Sequence, residues 1–203
     1  TSNGKTVTET IAEGDSLRLA ATVPPEIVDA LVAKLDTTQG EPKQAVLRLL
    51  GSAGTQRAFE TVRAVALEGE GQDKDTALRV LCRWPTTDAL PTLMDLALNA
   101  SDDTVRSLAR DGAIHLLKQS TLARAEVLEH YDTLMDHAAS AADKKAVLSG
   151  LAQVRGKQAL ERVLAQFADE AVYAEAVQAA IAICKEIRGG EADERFFNGT
   201  DLT

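Results

Sequence analysis

The sequence predicts an all-α chain, an α-solenoid of antiparallel helix pairs, on three observations. Apolar residues recur at helical spacing in successive runs, and short breaks of Gly, Pro, Ser and Thr separate the runs. The text also repeats. Thr76 to Leu81 aligns without gaps on Ala45 to Leu50 and on Ala146 to Leu151, at offsets of 31 and 70 residues, so a unit of roughly thirty to forty residues recurs. Finally, hydrophobic residues make up 45% of the chain but aromatics only 3%. A core of Ala, Leu and Val suits close helix packing and not a sheet, which favours β-branched and aromatic residues in alternation.

Taken in order, residues 1–21 are rich in Thr, Gly and Glu and keep no period; they read as a linker or the tail of a preceding unit. Helical text starts at Thr22-Val23-Pro24-Pro25, a capping threonine with prolines in the first turn. Its apolar stripe is Ile27, Val28, Leu31, Val32 and Leu35, and it stops before Gly40. Helices then come in pairs. Pro42 to Leu50 breaks at Gly51-Ser52-Ala53-Gly54 and is followed by Gln56 to Leu67. Asp75 to Arg83 breaks at Trp84-Pro85-Thr86-Thr87 and is followed by Asp88 to Asn99. Asp102 to Lys118 pairs with Leu122 to Ala139, and Asp143 to Val154 pairs with Lys157 to Ala168. A last helix, Glu170 to Ile187, is expected to close at Arg188-Gly189-Gly190. Short breaks impose antiparallel neighbours, and stacked pairs make a solenoid. The repeat domain thus spans 22–190, and 191–203 reads as a linker and the start of a following domain.

Charge and composition exclude several classes. The formal net charge is −9, with 22 basic residues scattered among 31 acidic ones. A surface that tracks phosphates needs clustered Lys and Arg, so no nucleic-acid partner is expected. The longest apolar run, Ala179 to Cys184, is far short of the ~18 residues of a membrane span. The chain does not begin with Met and shows no signal peptide, as expected of a piece of a longer or processed protein. Cys82 and Cys184 both sit in apolar helical text, about three units apart. They are expected to be small buried hydrophobes that stay unpaired, because a disulfide needs Cα atoms within ~7 Å.

The paired pattern resembles the HEAT-repeat family over most of Ala45 to Ile187. The runs Leu49-Leu50-Gly51-Ser52-Ala53-Gly54 and Arg83-Trp84-Pro85-Thr86-Thr87-Asp88-Ala89-Leu90-Pro91-Thr92-Leu93 resemble the HEAT segments of bacterial envelope proteins. In those proteins a helical array adjoins a 3-keto-disaccharide hydrolase domain, a concanavalin-like β-sandwich. Phe196-Phe197-Asn198-Gly199-Thr200-Asp201-Leu202-Thr203 resembles the opening of that domain. The resemblance implies a right-handed solenoid of HEAT-like pairs, a concave face lined by the second helix of each pair, and a periplasmic or secreted location.

Chemistry-bearing motifs are sparse. The sequence holds no Gly-x-Ser-x-Gly, P-loop, dinucleotide glycine fingerprint, His-Glu-x-x-His or Cys-x-x-Cys. His130 and His137 share one acidic helix face, which reads as solvated surface rather than a metal site, since a third ligand and supporting shell are lacking. No catalytic, cofactor-binding or metal-ligating residue is expected. The repeat register does align polar rows: Arg48, Arg79, Asp111 and Ser149 in one, Ser52, Arg83, His115 and Gln153 in the other. If these rows face the concave side, Arg48, Arg79, Arg83, Asp111 and His115 are the candidates for a binding face able to grip carboxylates or sugar hydroxyls. Trp84 and Pro85 are expected to be structural, a staple between adjacent repeats at an inter-helix corner.

The function these features imply is a non-catalytic interaction or scaffold module of a larger exported protein, monomeric or weakly oligomeric. Its partner would be a protein or the adjoining domain, with carbohydrate engaged through that domain. The alternative is a HEAT-type enzyme subunit, such as a pigment-attaching lyase with a pocket on its concave face or a DNA-base-removing enzyme. The lyase would show a large apolar pocket, the second a basic concave face.

Overall fold

The computed structural model describes residues 23–197, with side-chain environments for 23–187. The described residues form ten α-helices, two short 3-10 segments and no strand, so the chain is all-α. The helices are α1 (Pro25–Thr37), α2 (Glu41–Ala53), α3 (Gln56–Glu68), α4 (Gly71–Leu81) and α5 (Leu90–Asn99). After these come α6 (Asp103–Gln119), α7 (Arg124–Asp136), α8 (Ala141–Leu151), α9 (Lys157–Leu164) and α10 (Tyr173–Phe197). The readings of residues 1–22 and 198–203, and of the side chains of Phe196 and Phe197, lie outside what is described.

Several helix ends differ from those the sequence suggests. Pro24, not Thr22, stands at the N-cap of α1. Gly51, Ser52 and Ala53 belong to α2, which ends at Gly54, a glycine at φ +60°. Gly51 is a packing residue rather than a break: a Cβ there would collide with Cγ1 of Val80 on α4. The stop at Arg188-Gly189-Gly190 does not occur, and α10 runs on to Phe197. Helical glycine costs only about 1 kcal/mol against alanine, and Glu191, Ala192, Glu194 and Arg195 beyond it are good helix formers. Asp102 accepts hydrogen bonds from the backbone N–H of Thr104 and Val105, and Ser140 with Asp143 forms a capping box.

Packing is nearly regular: among the described residues each helix except α4 packs closely on the next, and most also touch the next but one. Contacts run α2 to α4, α4 to α6, α6 to α8 and α8 to α10, and likewise α1 to α3 and α5 to α7. Polar pairs follow the same step. Asp29 of α1 meets Arg57 of α3 at 2.9 Å, Arg63 of α3 donates to Thr92 of α5 at 3.0 Å, and Arg162 of α9 grips Asp132 of α7 at 2.7 Å. In the even-numbered row, Lys43 meets Asp73 at 3.2 Å and Lys145 meets Glu175 at 2.8 Å. One continuous core of Leu, Val and Ala fills the space between the rows, with Leu47, Leu50, Leu78, Leu81, Leu93 and Leu148 among its fully buried members. Exposed ion pairs of this kind contribute only ~0–1 kcal/mol each, so the apolar core carries the stability.

Candidate polar groove

The corner after α4 fixes the candidate surface. Arg83 and Trp84 donate their backbone N–H groups to the carbonyls of Val80 and Leu81, tightening the helix end before a 3-10 turn, Thr87–Ala89. Trp84 is buried, its ring 5.5 Å from that of Phe59 on α3 and tilted by 59°. Pro85 lies over Gly54, where an added Cβ would sit 2.9 Å from the proline Cγ. The Trp84-Pro85 corner thereby leans on the preceding corner and sets where Arg83 emerges. The indole N–H of Trp84 has no acceptor among the described residues.

Between α2 and α4 this geometry opens a groove of about 730 Å³. Arg48, Arg79 and Arg83 stand around it with Ser52 and Thr76, over an apolar floor of Val80, Pro85 and Leu108. All three arginines are exposed. No Asp or Glu is among the lining residues. Three of the five expected face residues, from two repeats, are thus drawn together. Asp111 and His115 follow on α6, exposed, but neither lines the groove. His115 instead has its Nε2 at 3.1 Å from the Gln119 side chain one turn on. Asp111 is near enough to Cys82 to influence it, and its own carboxyl is pushed above the usual range by burial, with Asp143 adding and Arg110 opposing.

Cys82 touches the groove but is no nucleophile at neutral pH. It is 7% exposed, and its thiol is 3.4 Å from the Leu108 carbonyl. Burial, reinforced by Asp111 and opposed by Arg79 and Arg83, pushes it up to about 12, so the thiolate that would attack is scarce. Ser52 is equally occupied, donating its hydroxyl to the Arg48 carbonyl at 3.1 Å. Both cysteines are free thiols, and Cys184, expected to be buried, is exposed on α10.

A second groove of about 520 Å³ lies between α8 and α10. Ser149 and Gln153, aligned with Arg79 and Arg83, both line it, together with Lys145, Gln178 and a largely alanine wall. Here the cation is matched: the Lys145 ammonium holds the Glu175 carboxyl below the usual range. His130 and His137 do not form part of either groove. His137 has its Nδ1 at 2.9 Å from the Thr133 carbonyl of its own helix, and among the described residues no three His, Cys, Asp or Glu side chains converge as metal ligands would.

Sequence reading missed a buried ion pair between the two grooves. Arg110 of α6, 4% exposed, meets Asp143 of α8. The other oxygen of Asp143 accepts the backbone N–H of Ala139 and Ser140 at 3.1 and 3.0 Å, so one carboxylate both caps α8 and neutralises the arginine. The signal was in the register: Arg110 stands where the other repeats carry Leu47, Leu78 and Leu148, all buried.

Compared with known proteins, the chain matches no family model, no curated protein and no solved structure.

Proposed function

We infer that this chain is a non-catalytic α-solenoid of HEAT-like antiparallel helix pairs, an interaction or scaffold module of a larger exported protein. It binds a protein partner through the face made by the even-numbered helices. The observation that carries this reading is the α2/α4 groove, where register-equivalent positions of successive repeats assemble three exposed arginines over an apolar floor. The step of one helix pair that recurs in the contacts and ion pairs supports the solenoid, since stacked repeats touch only their neighbours. Support for a binding rather than a catalytic role comes from two of the groove's three hydroxyl and thiol groups, Cys82 held protonated and Ser52 back-bonded to its helix. The resemblance of the sequence further suggests a neighbouring 3-keto-disaccharide hydrolase-like domain and a periplasmic or secreted setting. No helix of the described residues is long and apolar enough to cross a membrane.

The test is affinity capture on the immobilised chain from an envelope extract, with retained proteins identified by mass spectrometry. Arg79→Glu with Arg83→Glu should abolish retention of the partner while the melting temperature barely moves, because both side chains are exposed. Retention that survives the double reversal would return these positions to ordinary solvated surface.

A further inference from the structure

The three groove arginines are conspicuous for what surrounds them. Elsewhere among the described residues nine basic residues are paired with carboxylates; Lys34, Arg63, Lys74, Lys118, Arg124 and Lys185 are in no such pair, but none of them lines this groove. Among the described residues none of Arg48, Arg79 and Arg83 is in an ion pair, and the groove they share has no acidic lining residue. Like charges gathered in one concavity repel one another and focus a positive potential there. An incoming anion relieves that repulsion. The guanidinium fork fits carboxylates with two parallel hydrogen bonds, which makes arginine the residue suited to this task.

Size and floor narrow the ligand. A volume of about 730 Å³ far exceeds a single inorganic anion and is in the range of pockets that hold sizeable organic groups. Val80, Pro85 and Leu108 offer an apolar seat between the cations, so the occupant carries apolar as well as anionic groups. A polynucleotide is disfavoured because the cationic patch does not continue: the same register positions become Asp111 and His115 on α6, then Ser149 and Gln153 at α8. Phosphate tracking needs basic residues all along the path, and the chain as a whole carries −9.

We propose that the α2/α4 groove captures an acidic peptide segment of a protein partner, its carboxylates on Arg48, Arg79 and Arg83 and an apolar side chain on Val80, Pro85 and Leu108. This rests on the reading of the chain as an interaction module and adds the chemistry of the partner.

The experiment titrates the chain into a fluorescein-labelled ten-residue peptide of alternating glutamate and leucine, followed by anisotropy at low and high salt. Parallel arms use the glutamine counterpart of the peptide, a ten-nucleotide single-stranded DNA, and free glutarate as competitor. The glutamate peptide should bind and weaken as salt rises. The glutamine peptide, and the Arg79→Gln plus Arg83→Gln variant, should each bind at least about tenfold more weakly, the loss expected for removing charge-assisted bonds. The neutral variant is used beside Arg79→Glu plus Arg83→Glu so that a folding defect in the reversal cannot mimic the result; circular dichroism checks both. Equal binding of the glutamine peptide, or undiminished binding by the variants, overturns the proposal. Tighter binding of the DNA overturns it in favour of a nucleic-acid groove, and full displacement by glutarate at equal concentration overturns it in favour of a small dicarboxylate. If capture from extract stays dependent on the arginines while the acidic peptide does not bind, the interaction module stands and the acidic-peptide class alone falls.

Discussion

The α2/α4 groove and the α8/α10 groove occupy the same register positions on the same repeated helix, yet they differ in charge. Arg48 and Ser52 on the α2 wall of one stand where Ser149 and Gln153 stand on the α8 wall of the other, Arg79 on α4 and Arg83 just past it have no cationic counterpart on α10, and the lysine that lines the second groove is already neutralised by Glu175. A furrow opens at two junctions of even-numbered helices, α2/α4 and α8/α10; the residues on its walls decide what the furrow can hold. Stability and recognition are therefore carried by different positions. The buried leucines recur on α2, α4 and α8, giving way to Arg110 and Ala113 only on α6, while the exposed positions beside them vary more widely. Mutations can separate the two properties, and they rank clearly by expected size.

The largest effect should come from the corner that positions the arginine groove. Trp84→Ala empties a site that is 2% exposed and should destabilise by about 3–5 kcal/mol in chemical denaturation. Trp84→Phe should cost distinctly less, because it keeps a ring against Phe59 and removes an indole N–H that has no acceptor among the described residues. A loss below about 0.5 kcal/mol for the alanine variant would mean that the corner does not brace the groove at all.

Between the two grooves lies the Arg110–Asp143 pair, and it should behave unlike the exposed pair at the second groove. Arg110→Ala leaves the Asp143 carboxylate partly buried without its cation, and a loss of about 3–5 kcal/mol is expected. Arg110→Leu restores the residue type of Leu47, Leu78 and Leu148, and fills the space; it should cost less than the alanine variant. Lys145→Ala, whose ion pair is exposed, should cost about 0–1 kcal/mol. Equal losses for Arg110→Ala and Lys145→Ala, measured by urea denaturation, would show that burial does not distinguish the two joints.

Gly112 tests how closely α4 and α6 must approach beside the groove. A Cβ at this position would lie 2.5 Å from Cys82 Sγ and 2.9 Å from the Cys82 Cα, and backbone cannot yield as a side-chain tip can. Gly112→Ala should therefore destabilise by about 1–3 kcal/mol through overpacking, despite alanine's better helix propensity. A stabilised variant would show that the helices can separate freely and that the groove's width is not fixed by this contact.

How much of this could be read from the sequence follows from what each feature depends on. The helices were legible because their apolar stripes are local, periodic signals, and the Arg48/Arg79 and Ser52/Arg83 rows were legible because the repeat register carries over helix to helix. Helix ends were less so. Gly51 looks like a break in sequence but is there to admit Val80, a residue 29 positions away, and only the packing reveals which role a glycine has. The glycine pair at 189–190 likewise failed to stop α10, since a penalty of about 1 kcal/mol per glycine is easily outweighed in a long helix. Cys184 was misjudged because an apolar run does not say which of its faces turns inward. Arg110 reads as surface by residue type, and its partner is 33 residues away; only its place in a column of leucines betrays its burial.

The smallest effect on stability should accompany the most informative change in binding. Ser149→Arg with Gln178→Arg gives the α8/α10 groove one cation on each wall, as Arg48 and Arg79 give the α2/α4 groove. Both side chains border a groove and neither is a buried core residue, so the unfolding free energy should move by no more than about 0.5 kcal/mol. Glu175 remains in the second groove, where it can draw one of the new guanidinium groups to itself. The graft should therefore confer weak binding of the glutamate–leucine peptide, and Glu175→Gln added to it should strengthen that binding, because a competing internal carboxylate is removed. This order of affinities, measured in a background lacking Arg79 and Arg83, tests whether carboxylate-free lining is what sets the first groove apart. If the graft alone binds as tightly as the triple variant, arginine number suffices and the absence of an acidic lining residue is incidental. If neither variant binds, a cation on each wall is not enough, and the particular seat of Val80, Pro85 and Leu108, in place of the Leu148 and alanine lining of the second groove, is the deciding element.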